Sequence, residues 1–247
     1  VNYWETYAPV VSWRTVRLVL VLSLLADLKS RQIDYVNAFT QAPADCDVFM
    51  NIPAGFVVRD GSLHFTTEST KNNSQDFVLR IKKNMYGLRQ AGNNWFDALK
   101  TSLLARGFTQ SSYDPCLFIR GNCILIVYVD DCLIFAKSDS VLDDLITSLR
   151  TDFILTSDGT VGAFLGIDIR RTTDGFLELV QPGLIKKIIA ACGLQDSSQE
   201  HHIPATVILH SDLDGPPREH HWNYHSLIGM LTYLSTSTRP DIAFAVH

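Results

Sequence analysis

Two adjacent carboxylates, Asp130 and Asp131, stand between the apolar runs Ile124–Val127 and Leu133–Ala136. Two short β-rich runs joined at acidic residues read as a strand–turn–strand hairpin with carboxylates at its tip. Neighbouring carboxylates repel. Keeping both ionised at a partly buried turn is costly unless a cation compensates them. Mg²⁺ suits that task, because it is hard, prefers oxygen ligands and binds through one or two carboxylates plus substrate phosphates. A solvated hairpin tip would carry the same pair. A third aspartate, Asp34, within Gln32-Ile33-Asp34-Tyr35-Val36-Asn37-Ala38-Phe39, favours the chemical reading. Two-metal phosphoryl transfer needs carboxylates from separate strands converging on two cations about 3.5–4 Å apart. One aspartate on a neighbouring strand and two on a hairpin supply such a set.

The elements that must position these residues alternate between helix and strand. Residues 14–28 have helix-forming apolar density, and residues 31–35 read as a strand. Residues 41–76 are turn-rich, with Pro43, Pro53, Gly55 and Gly61, and their 66–75 part is polar enough for a loop. Residues 77–81 read as a strand. Trp95, Phe96, Leu99, Leu103 and Leu104 fall at helical spacing within 94–106, closed by Gly107 at the C′ position. Strands flank the Asp pair. Leu142, Leu145, Ile146 and Leu149 predict a helix within 138–153. Strands at 163–169 and 176–180 precede a helix over 182–192 with proline in its first turn. No internal repeat is visible.

Composition bounds the answer further. With 247 residues, 46% hydrophobic and 19% charged, the chain is globular and large enough for one large domain or two sub-domains. Five scattered cysteines without a Cys-x-x-Cys pair argue against a zinc site or a disulfide framework and suit a reducing compartment. No signal peptide is visible. The apolar stretch 16–28 is too short to cross a bilayer and reads as a buried helix. Net charge is −5, yet binding depends on local field. Between 71 and 106, Lys71, Arg80, Lys82, Lys83, Arg89, Lys100 and Arg106 face only Asp76 and Asp97, a candidate phosphate-facing stripe or an ordinary solvated face. Residues 195–218 are rich in Ser, His, Asp, Gly and Pro and read as a linker. His201, His202, His220, His221 and His225 lack acidic or cysteine partners at ligand spacing, so a metal site there is rejected.

Taken in order, the motifs resemble the reverse transcriptase domain of copia-type retrotransposon polyproteins. Glu5-Thr6-Tyr7-Ala8-Pro9-Val10-Val11 is similar to the family's opening, and Gln32 to Phe39 to its first catalytic aspartate motif. Val48-Phe49-Met50-Asn51-Ile52-Pro53-Ala54-Gly55-Phe56 resembles the segment that follows it. Met85-Tyr86-Gly87-Leu88-Arg89-Gln90-Ala91 with Trp95 resembles the template and nucleotide loop. Tyr128-Val129-Asp130-Asp131 matches the catalytic hairpin, and Phe164-Leu165-Gly166-Ile167-Asp168-Ile169 the primer grip. Ser226-Leu227-Ile228-Gly229 and Thr238-Arg239-Pro240-Asp241-Ile242 resemble the approach to an RNase H domain.

The resemblance implies an α+β right-hand polymerase palm, a ferredoxin-like antiparallel sheet with helices on one face, with partial fingers and a short thumb-like region. It divides the chain into 1–195 (fingers, palm and start of the thumb), a linker at 196–223 and a helical segment at 224–247. The implied activity is RNA-directed DNA synthesis, adding dNTPs to a DNA primer on an RNA or DNA template. Asp34, Asp130 and the more peripheral Asp131 would bind two Mg²⁺ or Mn²⁺ ions, with the Tyr35 carbonyl as a further ligand. Those ions would lower the pKa of the primer 3′-hydroxyl and neutralise triphosphate charge. Phe39 would exclude a 2′-hydroxyl sterically. Arg89 and Gln90 would contact nucleotide or template. Tyr128, Phe164, Leu165, Gly166, Lys82 and Lys83 would hold primer and template.

Three departures accompany the match. Tyr35 replaces a usual valine, and Ser157-Asp158-Gly159-Thr160 replaces a usual Asp-Leu-Gly with no lysine beside it. A basic fingers segment upstream and the RNase H residues downstream are expected outside the chain, making it a piece of a polyprotein that also encodes an integrase. The expected setting is intracellular, in a cytoplasmic virus-like particle or the nucleus, without a membrane. The alternative is a decayed, inactive copy that serves at most as a nucleic-acid-binding module.

Overall fold

The computed structural model describes residues 5–59, 61–65, 77–197, 215 and 223–247. The expected 66–75 loop and most of the 196–223 linker, with His201, His202, His220 and His221, lie outside the described residues. The chain divides into two compact units, Val1–Val161 and Gly162–His247.

In the first unit, α1 (Trp13–Leu25) precedes β1 (Lys29–Tyr35), α2 (Ala38–Gln41), β2 (Pro43–Asn51), β3 (Phe56–Arg59), β4 (Ser62–Phe65) and β5 (Val78–Lys83). Then follow α3 (Ala91–Ala105), β6 (Thr109–Gln110), β7 (Leu117–Arg120), β8 (Cys123–Tyr128), β9 (Asp131–Ala136), α4 (Asp139–Leu149) and β10 (Leu155–Asp158). A six-stranded antiparallel sheet in the order β10-β1-β9-β8-β7-β6 forms its centre. The mixed architecture of antiparallel sheets and helices agrees with the expected class. The segment read as turns over 41–76 contains strands, because β2 pairs with β5 and β3 with β4.

The helices cover both faces of this sheet rather than one. Strand registers align Arg31, Ile134, Leu125 and Phe118 on one face. There Phe118 meets Phe96 of α3, and Arg31 pairs with Asp139 at the start of α4 at 2.6 Å. Leu133 and Phe135 point the other way and are buried as well. The groove on that side is lined by Leu22, Leu25 and Leu28 at the end of α1 with Ile119 and Ile124. Central strands covered on both faces read as continuous apolar runs, which is why Leu133–Ala136 does not alternate. α1 itself is only half buried. It packs Val16, Val19, Leu20 and Ser23 inward and leaves Leu18, Val21, Leu22 and Leu25 exposed. The expected buried helix is thus buried along one face only, and among the described residues no helix is long and apolar enough to cross a membrane.

In the second unit, β11 (Ala163–Phe164), β12 (Ile167–Arg171) and β13 (Leu177–Val180) form a three-stranded antiparallel sheet. The strand expected over 163–169 is a hairpin. Leu165 and Gly166 form its two-residue loop at φ +52° and +73°, the left-handed pair that matches strand twist. Helices α5 (Pro182–Ala191), α6 (Tyr224–Ser237) and α7 (Ala243–Val246) follow. Ile188, Leu227 and Leu234 make their shared core, with Leu184, Met230 and Ile242 against it.

Candidate active site

Asp34, the penultimate residue of β1, lies directly opposite Asp131, and Tyr128 is paired with Asp131 across the hairpin. The three residues therefore share one sheet face. Like charges directly opposite one another destabilise a sheet, so packing alone gives no reason for Asp34 to face Asp131. Asp130 occupies the hairpin loop with Val129, while Asp131 is the first residue of β9. The Asp130 backbone carbonyl accepts from the Tyr35 N–H at 2.9 Å, which ties the loop to β1.

Val129 adopts φ +52°, unusual for any side chain and more so for a β-branched one. The Trp95 indole N–H donates to its carbonyl at 2.8 Å. Trp95 in turn packs edge-on against Tyr35 and Phe153, at 5.0 and 5.2 Å between ring centroids. The Tyr35 ring is thus buried, leaving only its backbone beside Asp130. Its hydroxyl is buried without a partner, and burial pushes its pKa well above the usual phenol range.

Phe39 lies on α2, half-buried, with its ring 4.5 Å from that of Tyr86 and tilted by 37°. Gln41 fixes the end of α2: its amide donates to the Val36 and Ile154 carbonyls, and its carbonyl accepts from the Ile154 N–H. The Tyr86 loop is anchored by buried Asn84, whose side chain donates to the Ala42 and Pro43 carbonyls and accepts from Asn94. From this loop the Tyr86 hydroxyl donates to Asp130 Oδ2 at 3.0 Å. Asp130 Oδ1 is buried with no hydrogen-bond partner. Burial raises the Asp130 pKa; the Tyr86 hydrogen bond opposes this, and the charge of Asp34 adds to it.

The remaining expected residues lie on other elements. Arg89 is exposed, but Gln90 is buried and its amide donates to Cys46 Sγ at 3.5 Å. Lys82 and Lys83 are exposed on β5. Two members of the basic stripe are engaged elsewhere. Arg80 pairs with Asp47 at 2.6 Å, and Arg106 binds Asp152 at 2.7 Å together with Ser102, Ser148 and Thr151. Lys71 lies outside the described residues. In the second unit Phe164 is buried, and half-buried Leu165 with exposed Gly166 forms the turn whose Leu165 carbonyl accepts from the Tyr233 hydroxyl at 2.6 Å.

Sequence reasoning left Tyr86, Gln41 and Val129 without roles. For Tyr86 the signal was present, since it precedes Gly87 in a motif already singled out. Val129 likewise stood inside the Tyr128–Asp131 motif, though its left-handed backbone was not legible there; for Gln41 there was no signal.

Among the described residues no three His, Cys, Asp or Glu side chains converge as a metal-chelating group. The donor set nonetheless fits a hard divalent cation. Asp130 Oδ1 is an orphaned buried oxygen, and phosphate oxygens are what Mg²⁺ takes beside one or two carboxylates.

Residues 1–206 match the family described as reverse transcriptase (RNA-dependent DNA polymerase). Over its whole length the chain is 33% identical to the Retrovirus-related Pol polyprotein from transposon RE2 of Arabidopsis thaliana. It is 26% identical, again over its whole length, to that from transposon TNT 1-94 of Nicotiana tabacum. With the Putative transposon Ty5-1 protein YCL074W of Saccharomyces cerevisiae it shares 25% identity over 87% of the chain and 67% of that protein. The chain spans 16% of the Arabidopsis polyprotein's length and 18% of the tobacco one's. No solved structure matches it.

Proposed function

The chain belongs to the reverse transcriptase (RNA-dependent DNA polymerase) family, and from that premise we propose that it performs template-directed DNA synthesis by two-metal nucleotidyl transfer. The observation that carries this reading is the carboxylate arrangement: Asp34 opposite Asp131 on one face, with Asp130 in the adjoining loop presenting a buried, unpartnered Oδ1. Asp34 and Asp130 would hold the cations, with Asp131 as the peripheral ligand and the Tyr35 carbonyl as a further donor. Bound divalent cations would supply activation of the primer 3′-hydroxyl and charge neutralisation on the triphosphate. The Phe39 ring lies under the incoming sugar and sterically excludes a 2′-hydroxyl. Lys82, Lys83 and Arg89 neutralise template, primer or nucleotide phosphates; Gln90 contacts the nucleotide. Tyr128 flanks the primer end, which Phe164, Leu165 and Gly166 help to position. Residues 1–195 supply palm, partial fingers and the start of a thumb, 196–223 a connection, and 224–247 a helical lead towards an RNase H domain. An integrase of the same polyprotein, and a particle or nuclear location, complete the proposal.

Primer extension on poly(rA)·oligo(dT) tests it. Mg²⁺-dependent dTMP incorporation, lost in Asp130→Asn while template binding persists, is the expected result. Template binding indifferent to Mg²⁺, without incorporation by the folded wild type, would instead identify a binding module.

A further inference from the structure

We propose that Tyr86 is a positioning residue of this site: its hydroxyl fixes the Asp130 carboxylate and its ring backs Phe39, coupling cation binding to sugar recognition. The inference rests on the polymerase reading above and deepens it. The torsion that orients an aspartate carboxylate is broad, so a loop aspartate needs an external group to set it. Tyr86 supplies that group. Its hydroxyl donates to Oδ2 at 3.0 Å, leaving Oδ1 as the buried oxygen without a partner. The same residue's ring lies 4.5 Å from Phe39.

Tyr86 is 54% exposed, so it is no core residue. Its hydrogen bond and its ring contact both go to residues of the site. The loop that presents it is built for the purpose. Asn84 staples it to the Ala42 and Pro43 carbonyls just beyond α2, and Gly87 at φ +99° turns the chain immediately after Tyr86. A surface tyrosine meeting the carboxylate by chance would need neither the staple nor the stack. Partners that orient a metal ligand from behind typically change metal affinity by about 10–100-fold when removed.

The test titrates Mn²⁺ into the full 247-residue chain with poly(rA), a dideoxy-terminated oligo(dT) and dTTP, reading free ion by electron paramagnetic resonance. Tyr86→Phe keeps the ring and removes the hydroxyl. It should bind Mn²⁺ roughly tenfold more weakly, melt as the wild type does and retain deoxynucleotide preference in extension assays. Tyr86→Leu should lose that preference as well. Wild-type Mn²⁺ affinity in Tyr86→Phe, beside loss in Asp130→Asn, overturns the inference alone. Tighter binding in Tyr86→Phe also overturns it, by identifying the hydroxyl as a competitor for the carboxylate. Wild-type protein with no Asp130-dependent Mn²⁺ binding overturns the polymerase reading and this inference together.

Discussion

At the scale of single residues, the hairpin loop shows how strain is held where chemistry is expected. A left-handed backbone costs an L-residue roughly 1–2 kcal/mol, and Val129 sits at φ +52°. The Trp95 indole N–H bonded to its carbonyl and the Tyr35–Trp95–Phe153 aromatic cluster are what hold the loop in this form. Trp95→Phe keeps an aromatic ring but removes the donor. Losing this part-buried hydrogen bond costs about 0.5–1.5 kcal/mol and a smaller ring leaves a void, so the variant should be less stable by roughly 1–3 kcal/mol. Urea denaturation checks the number, and metal-dependent incorporation should fall with it. The sequence marked Trp95 as part of a motif. Its hydrogen bond to a loop 34 positions away, like the turn geometry of a valine, became visible only in three dimensions.

At the scale of elements, the end of α3 is clamped to the chain following α4 by Arg106. Its guanidinium donates to Asp152 at 2.7 Å, to the Ser148 side chain at 2.9 Å and to the Ser148 carbonyl at 2.5 Å. The Arg106 bond to Asp152, with that of Ser102, holds the Asp152 carboxyl down to a pKa of about 2. An unfolded aspartate titrates near 3.9. The ionised form is favoured by the fold, so the clamp's contribution is complete above about pH 4 and is lost as pH falls towards 2. Wild type should therefore resist urea better than Asp152→Asn at pH 7, and the difference should shrink steeply between pH 4 and pH 2. A gap independent of pH would show that ionisation is not what the clamp exploits. Helical spacing found α3 and α4. It could not tell that Arg106 faces this clamp rather than solvent, because residue order within a basic stripe carries no direction.

At the scale of the whole molecule, the net charge of −5 means that any grip on nucleic acid is local. Of the described members of the basic stripe, Lys82, Lys83, Arg89 and Arg80 are exposed; Arg80 pairs with Asp47, and Arg106 with Asp152. Each phosphate contact released by salt contributes about −0.9 to the slope of log affinity against log salt for a duplex. Lys82→Ala combined with Lys83→Ala should weaken binding to poly(rA)·oligo(dT) and reduce that slope by roughly 2. Fluorescence anisotropy across a salt series measures it; an unchanged slope would remove β5 from the nucleic-acid surface.

The sequence by itself determined the family and most helices and strands, and it singled out three aspartates, since all of these rest on residue type and on spacing along the chain. The antiparallel hairpin at Tyr128–Asp131 follows from apolar runs that only a strand pair buries. The tertiary structure decided which residues meet. Asp34 faces Asp131 because β1 and β9 align in one register, and a shift of one residue would have turned Asp34 to the opposite face. Pairing partners also decided that 41–76 contains strands, that 163–169 folds back at Leu165-Gly166, and that α1 adds cover to a second face of the sheet. Tyr86 reached Asp130 through a buried asparagine stapled to backbone 41 and 42 positions earlier. Spacing along a chain encodes periodicity, and periodicity encodes faces; register and long-range hydrogen bonds arise only when those faces are brought together.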